Sequence, residues 1–121
     1  MAGVSSLLVA VVALEHVWFL VLEMFLWTKP IGLKTFRQTE AQAKASAALA
    51  ANQGLYNGFL AAGLVWSLLA TPPEVALALR TFFLSCVVIA GVVGAFTVSR
   101  RILVVQAVPA ALALALSWIS R

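Results

Sequence analysis

The stretch VSSLLVAVVALEHVWFLVLEMFLW at residues 4–27 decides the fold. It is longer than the ~20 apolar residues that one helical membrane crossing needs, and Thr28-Lys29-Pro30 ends it. Proline removes a backbone donor and lysine seeks lipid headgroups, so together they close a span. A cleaved signal peptide would start with basic residues and have a short apolar centre. Here no basic residue precedes Lys29, and Glu15, His16 and Glu23 interrupt the run. The segment reads as a retained helix.

Residues 28–46 follow as a polar connection carrying Lys29, Lys34, Arg37, Gln38, Glu40, Gln42 and Lys44. Its alanine-rich second half favours helix running on into the next apolar stretch. A second span is expected over 47–70, stopped by Thr71-Pro72-Pro73. A third covers 74–98 and, after the short turn Ser99-Arg100-Arg101, a fourth covers 102–119. The whole chain is 64% apolar and 10% charged, against roughly 45–50% and 25% in soluble domains. That excludes a soluble globular protein and a disordered one alike. Backbone inside a bilayer must satisfy itself, so these segments are helices. The expectation is an all-α integral membrane four-helix bundle, one transmembrane domain over 1–121.

Charge gives the orientation. Lys29, Lys34, Arg37 and Lys44 fall between spans one and two, and Arg100 and Arg101 between three and four. Only Arg80 and Arg121 fall toward the other side. The positive-inside tendency puts both basic connections in the cytoplasm and both termini on the non-cytoplasmic side. The net charge of +4 therefore encodes topology, and no nucleic-acid partner is expected. The lone Cys86 excludes an internal disulfide and a thiolate zinc site, and the lone His16 a multi-histidine motif. Neither metal nor cofactor is expected.

The polar residues within the spans carry the functional signal, because each is costly against lipid. On span one, Glu15 and Glu23 stand about 80° apart on an ideal helix, and His16 and Glu23 within about 20°. About 10 Å of rise separates the latter two, so one helix cannot wrap both around a metal ion. Span two begins with Asn52, Gln53, Tyr56 and Asn57, and Gly54 and Gly58 form a G-x-x-x-G pair that lets a helix approach closely. Span four adds Gln106 and Pro109, with Arg100 and Arg101 at its start. By depth these polar groups share the cytoplasmic half of the bilayer, which predicts a pocket opening toward that leaflet. The other half reads as nearly all Leu, Val and Ala. The amides read equally as interhelical hydrogen-bonding groups, and Arg80, Arg121 and the lysines as headgroup anchors. Trp18, Trp27, Trp66 and Trp118 read as interface or lipid-facing aromatics, and Ser85, Cys86, Gly91 and Gly94 as close-packing positions.

Three stretches carry a resemblance: ALEHVWFLVLEMFLW at 13–27, LAANQGLYNGFLAAGLVW at 49–66 and GVVGAFTVSRRILVVQAVPA at 91–110. Together the chain resembles the small bacterial membrane family labelled domain of unknown function 1304. The resemblance implies a multi-pass protein of the bacterial inner membrane. It also implies motif positions at Glu15, His16, Glu23, Asn52, Gln53, Tyr56, Asn57, Arg100, Arg101 and Gln106. It implies no reaction.

Two functional expectations follow from the residues. The first is a site for a lipophilic small molecule, extended by acid–base chemistry such as isomerisation, epoxide opening or cyclisation. There Glu15, His16 and Glu23 are the catalytic candidates. Asn52, Gln53, Tyr56, Asn57, Gln106, Arg100 and Arg101 orient the ligand. The second is a proton-coupled transporter working as a dimer, similar to small multidrug-resistance transporters, with Glu15 exchanging protons. The long basic connection 28–46 and the amide cluster count against it. A structural subunit is the third reading. Membrane lipids are partners in every case, and the glycine pairs permit a homodimer without requiring one.

Overall fold

A computed structural model describes residues 2–121. Among them every regular element is helical. Helix α1 spans Ala2–Met24, α2 Pro30–Phe36, α3 Glu40–Leu69 and α4 Pro73–Thr97. Helix α5 runs Arg100–Ile119, with π-helical geometry over Leu103–Ala107. Helices α1, α4 and α5 are each long and apolar enough to cross a membrane, which marks the chain as a membrane protein. Helix α3 has 30 residues, about 45 Å at 1.5 Å per residue, but is diluted by Asn52, Gln53 and Asn57.

The chain forms two compact units, Leu14–Phe59 and the remainder, which joins the first part of α1 to Leu60–Arg121. In the latter, Val9, Val12 and Ala13 of α1 pack with Leu64 of α3, Leu84 and Val87 of α4, and Ala110 and Ala113 of α5. Small residues let these helices close up. A Cβ on Gly91 would sit 2.8 Å from the Ala107 backbone nitrogen, so α4 and α5 meet almost backbone to backbone there. Gly63 is likewise filled by the Phe83 ring. Lipid tails give helices no hydrophobic reason to associate, so such van der Waals fit is what holds them.

Three local features were not expected from the sequence. Helix α1 stops at Met24 instead of reaching Trp27, because the amides of Phe25 and Leu26 both bond Val21 O, at 3.0 and 3.1 Å. The chain then turns into α2, where Pro30 in the first turn lacks a donor that would go unused anyway. Secondly, the first half of the connection 28–46 carries a helix of its own, α2, while its alanine-rich second half is helical as expected. Thr39 and Gln42 form a reciprocal capping box (Thr39 N to Gln42 Oε1 2.9 Å, Gln42 N to Thr39 Oγ1 3.1 Å) that starts α3 well before residue 47. Trp27 is tied into this region. Its Nε1 donates to Ser46 Oγ at 3.1 Å and its ring lies 4.7 Å from Phe36. Thirdly, the π-turn in α5 has Val108 N bonding Leu103 O. Pro109 follows at once; it cannot donate, and its ring crowds the carbonyl four residues back. A widened turn relieves both problems.

Candidate functional site

The glycine pair of α3 builds the site. A Cβ on Gly54 would lie 2.7 Å from Met24 Cγ and 3.1 Å from Glu23 Cβ, and one on Gly58 2.7 Å from Leu20 Cδ1. Both glycines therefore serve close contact with α1 within one chain. The face they occupy also carries Asn57, which is buried. Its side-chain amide donates to Glu23 Oε1. The absence of side chains at Gly54 and Gly58 lets α3 lie close against α1 where that bond forms.

The other polar side chains of α3 point elsewhere. Asn52, Gln53 and Tyr56 are exposed, and Asn52 Nδ2 approaches Tyr56 Oη at 3.5 Å. A helix face with three polar groups thus lies outside the α1 contact, one turn and less from the Glu23–Asn57 pair. Tyr56 is also tilted against Phe59, with ring centroids 6.0 Å apart.

On α1, Glu15 and Glu23 are both half-buried. Glu15 Oε1 is shielded from solvent and has no hydrogen-bond partner among the described residues. His16 has no exposed surface, and its ring meets Phe19 edge-on at 5.2 Å. The structure therefore brings Glu23 together with Asn57, and Asn52 with Tyr56. Glu15 lies about 12 Å of helix rise from Glu23.

Arg100, Arg101 and Gln106 belong to the other unit. The two arginines are exposed at the start of α5, where Ser99 Oγ caps the helix by accepting from Arg101 N at 3.2 Å. Gln106 is half-buried on the π-turn. Among the described residues no group of three or more His, Cys, Asp or Glu side chains could hold a metal ion.

One region read as nearly all Leu, Val and Ala gathers several polar side chains. Where α1 and α4 begin and α5 ends, Ser5, Ser6, Arg80, Ser117 and Ser120 line a cleft. Sequence spacing could not reveal it, because these serines sit at opposite ends of the chain and only the fold makes them neighbours. Nearby, Trp118 Nε1 donates to Thr81 Oγ1 at 3.0 Å and the Arg121 guanidinium lies 4.7 Å over the Trp118 ring.

Comparison with curated proteins and with solved structures gave no match. The family model described as protein of unknown function (DUF1304) matches residues 10–118. That match takes in both helices of the Glu23–Asn57 pair and all but the ends of the chain, and on it the chain belongs to the DUF1304 family.

Proposed function

We propose that this is a four-span protein of the bacterial inner membrane, with both termini on the non-cytoplasmic side. It binds a lipophilic small molecule bearing a polar head. The ligand reaches the exposed polar face of α3 sideways from the lipid, because the connections are too short to build a site outside the membrane. Asn52, Gln53 and Tyr56 orient it. Glu23, held by Asn57, is the carboxylate nearest that face and the candidate general acid or base. Glu15 is the second carboxylate, and buried His16 would take part in proton movement without touching the ligand.

The observation that carries this reading is the pairing of two opposite faces on one helix. One face is stripped to glycine so that Asn57 can meet Glu23. The other leaves two amides and a phenol uncovered, which is expensive in lipid unless something polar covers them.

The test is purification in native membrane patches, followed by mass spectrometry of co-purifying small molecules. Wild type is compared with Glu15→Gln, Glu23→Gln and Asn52→Ala. A defined lipophile enriched on wild type and lost from the variants supports the site. An identical small-molecule profile in all four proteins would sink it, and proton-dependent flux in liposomes would then decide for the transporter.

A further inference from the structure

We propose that the corner joining α1 to α3 docks on anionic phospholipid headgroups, with α2 seated along the membrane surface. The corner lies within the unit Leu14–Phe59. The proposal rests on α1 being a membrane span and is independent of the ligand assigned to the α3 face.

Position is fixed by the backbone. The span α1 ends at Met24 and α2 begins at Pro30, so α2 starts within about 20 Å of the end of the span. The chain between them is folded tightly, with Lys29 N bonding Leu26 O at 3.1 Å and Leu33 N bonding Lys29 O at 3.0 Å. A Cβ on Gly32 would run into the Leu26 carbonyl and sit 2.8 Å from Trp27 O. Helix α2 therefore lies against this turn backbone to backbone. The contacts of Trp27 with Ser46 and Phe36 hold it from the other side.

This fixed corner carries uncompensated charge. Lys29, Lys34 and Arg37 are exposed. Among the described residues the one ion pair joins Lys44 to Glu40, at 2.9 Å. The fourth cation of the connection is thus matched, and the other three have no carboxylate partner. With Gly32 facing the turn, Lys34 stands about 160° round the helix from it, on the outer side. Arg37 occupies the left-handed region at φ 53°, so the position carries a cation at a backbone cost that glycine would avoid.

Apolar side chains flank the cations. Phe25, the residue after the span, is 65% exposed, and Ile31 45%. Exposed cations beside exposed apolar groups suit the lipid interface, where ring and aliphatic chain enter the acyl boundary and the charged ends meet phosphates. A soluble polyanion would answer the charges and leave Phe25 and Ile31 in water. A zwitterionic surface would receive the apolar groups and offer three cations no net countercharge. An anionic lipid surface meets both needs.

The experiment replaces Phe25 with photoreactive benzoylphenylalanine, an aromatic for an aromatic, in the full chain. The protein is reconstituted into vesicles of equal parts phosphatidylglycerol and phosphatidylcholine with identical acyl chains, irradiated, and its adducts are weighed. Phosphatidylglycerol adducts should outnumber phosphatidylcholine adducts at least about fivefold, the factor that one cation near such a surface supplies. The same probe at Ile89, exposed midway along α4, should give a ratio near one. In 1 M salt, where charges are screened beyond ~3 Å, the Phe25 ratio should fall toward one. Lys34→Gln and Arg37→Gly should each lower it at least about twofold, and Lys34→Arg should keep it. Glycine suits the turn at residue 37, so a fall there reports charge and not fold. Equal adducts of the two lipids at Phe25, the same excess at Ile89, no lipid adduct at Phe25, or a ratio indifferent to salt and to both charge-removing variants would each overturn the proposal. Loss of the α3 ligand is read at Gln53 and leaves this ratio untouched.

Discussion

The two units use the same device for opposite ends. Around Ala107, a missing side chain at Gly91 lets α4 and α5 approach so closely that the nearest atoms include backbone. The result is plain packing, with Val87, Leu84 and Ala110 beside it. Within Leu14–Phe59, missing side chains at Gly54 and Gly58 let α3 approach α1, and what is delivered is an amide against a carboxylate. One glycine contact holds the fold. The other positions chemistry. The difference lies in what the glycines face: Gly91 meets the Ala107 backbone nitrogen at 2.8 Å, whereas Gly58 meets only the Leu20 side chain, and Gly54 meets Met24 and Glu23 side-chain atoms before the Leu20 carbonyl at 3.3 Å.

That contrast can be broken by adding side chains. Gly91→Val should be the most damaging single change, because the Ala107 backbone cannot move aside; about 3 kcal/mol or loss of the folded protein is expected. Gly58→Ala meets only Leu20 Cδ1, which can swing away, and should cost less than about 1 kcal/mol. Reversible unfolding in mixed micelles would measure both. Equal losses would mean that the two contacts do not differ as described.

The second comparison lies within α3 itself. Asn57→Leu leaves Glu23 without its amide and should destabilise by about 1–3 kcal/mol, the cost of stranding a buried polar partner. Asn52→Leu removes an exposed group with a single long contact and should leave stability within about 0.5 kcal/mol. If Asn52→Leu instead proved as costly, its face would be covered by something that holds the fold together.

Smaller effects belong to the connection. Arg37 ends α2 in the left-handed region at φ 53°, where glycine is at ease, so Arg37→Gly should stabilise that turn by up to about 1 kcal/mol. Slower exchange of the Gln38 amide, which bonds Leu33 O, would report it. Smallest of all is a pH effect at the start of α3. The hydrogen bond from Lys44, and then its charge, hold the Glu40 carboxyl below its usual value. A depressed carboxyl contributes above its unfolded-state pKa and loses that contribution as pH falls through the folded value. Protection of the amides in the first turn of α3, relative to their intrinsic exchange at each pH, should therefore fall slightly below about pH 4 and be constant above it.

How far the sequence disclosed all this depends on the range of the interaction. Apolar runs and their Lys-Pro and Pro-Pro stops are local, so the long helices were legible to within a few residues. The capping box at Thr39 and Gln42 is also local, and it starts α3 within the alanine-rich half of the connection that already favoured helix. The G-x-x-x-G spacing announced a close approach but not its partner, which only the fold supplies. Glu23 and Asn57 were legible as polar positions in the same half of the bilayer, Asn57 the deeper of the two; their bond depends on the rotation of two helices and was not. The π-turn escaped because no periodicity marks one inserted residue, although Pro109 was its available signal. The serine–arginine cleft had no signal of that kind, since residues 5–6 and 117–120 meet only through topology.

The most direct test of the central claim places a photo-crosslinking amino acid at Gln53, on the uncovered face of α3, and irradiates intact membranes. Mass analysis of the purified chain should show a discrete small-molecule adduct, lost when Glu23→Gln is combined with it. Adducts to bulk phospholipid alone, or to a second copy of the chain alone, would contradict the account.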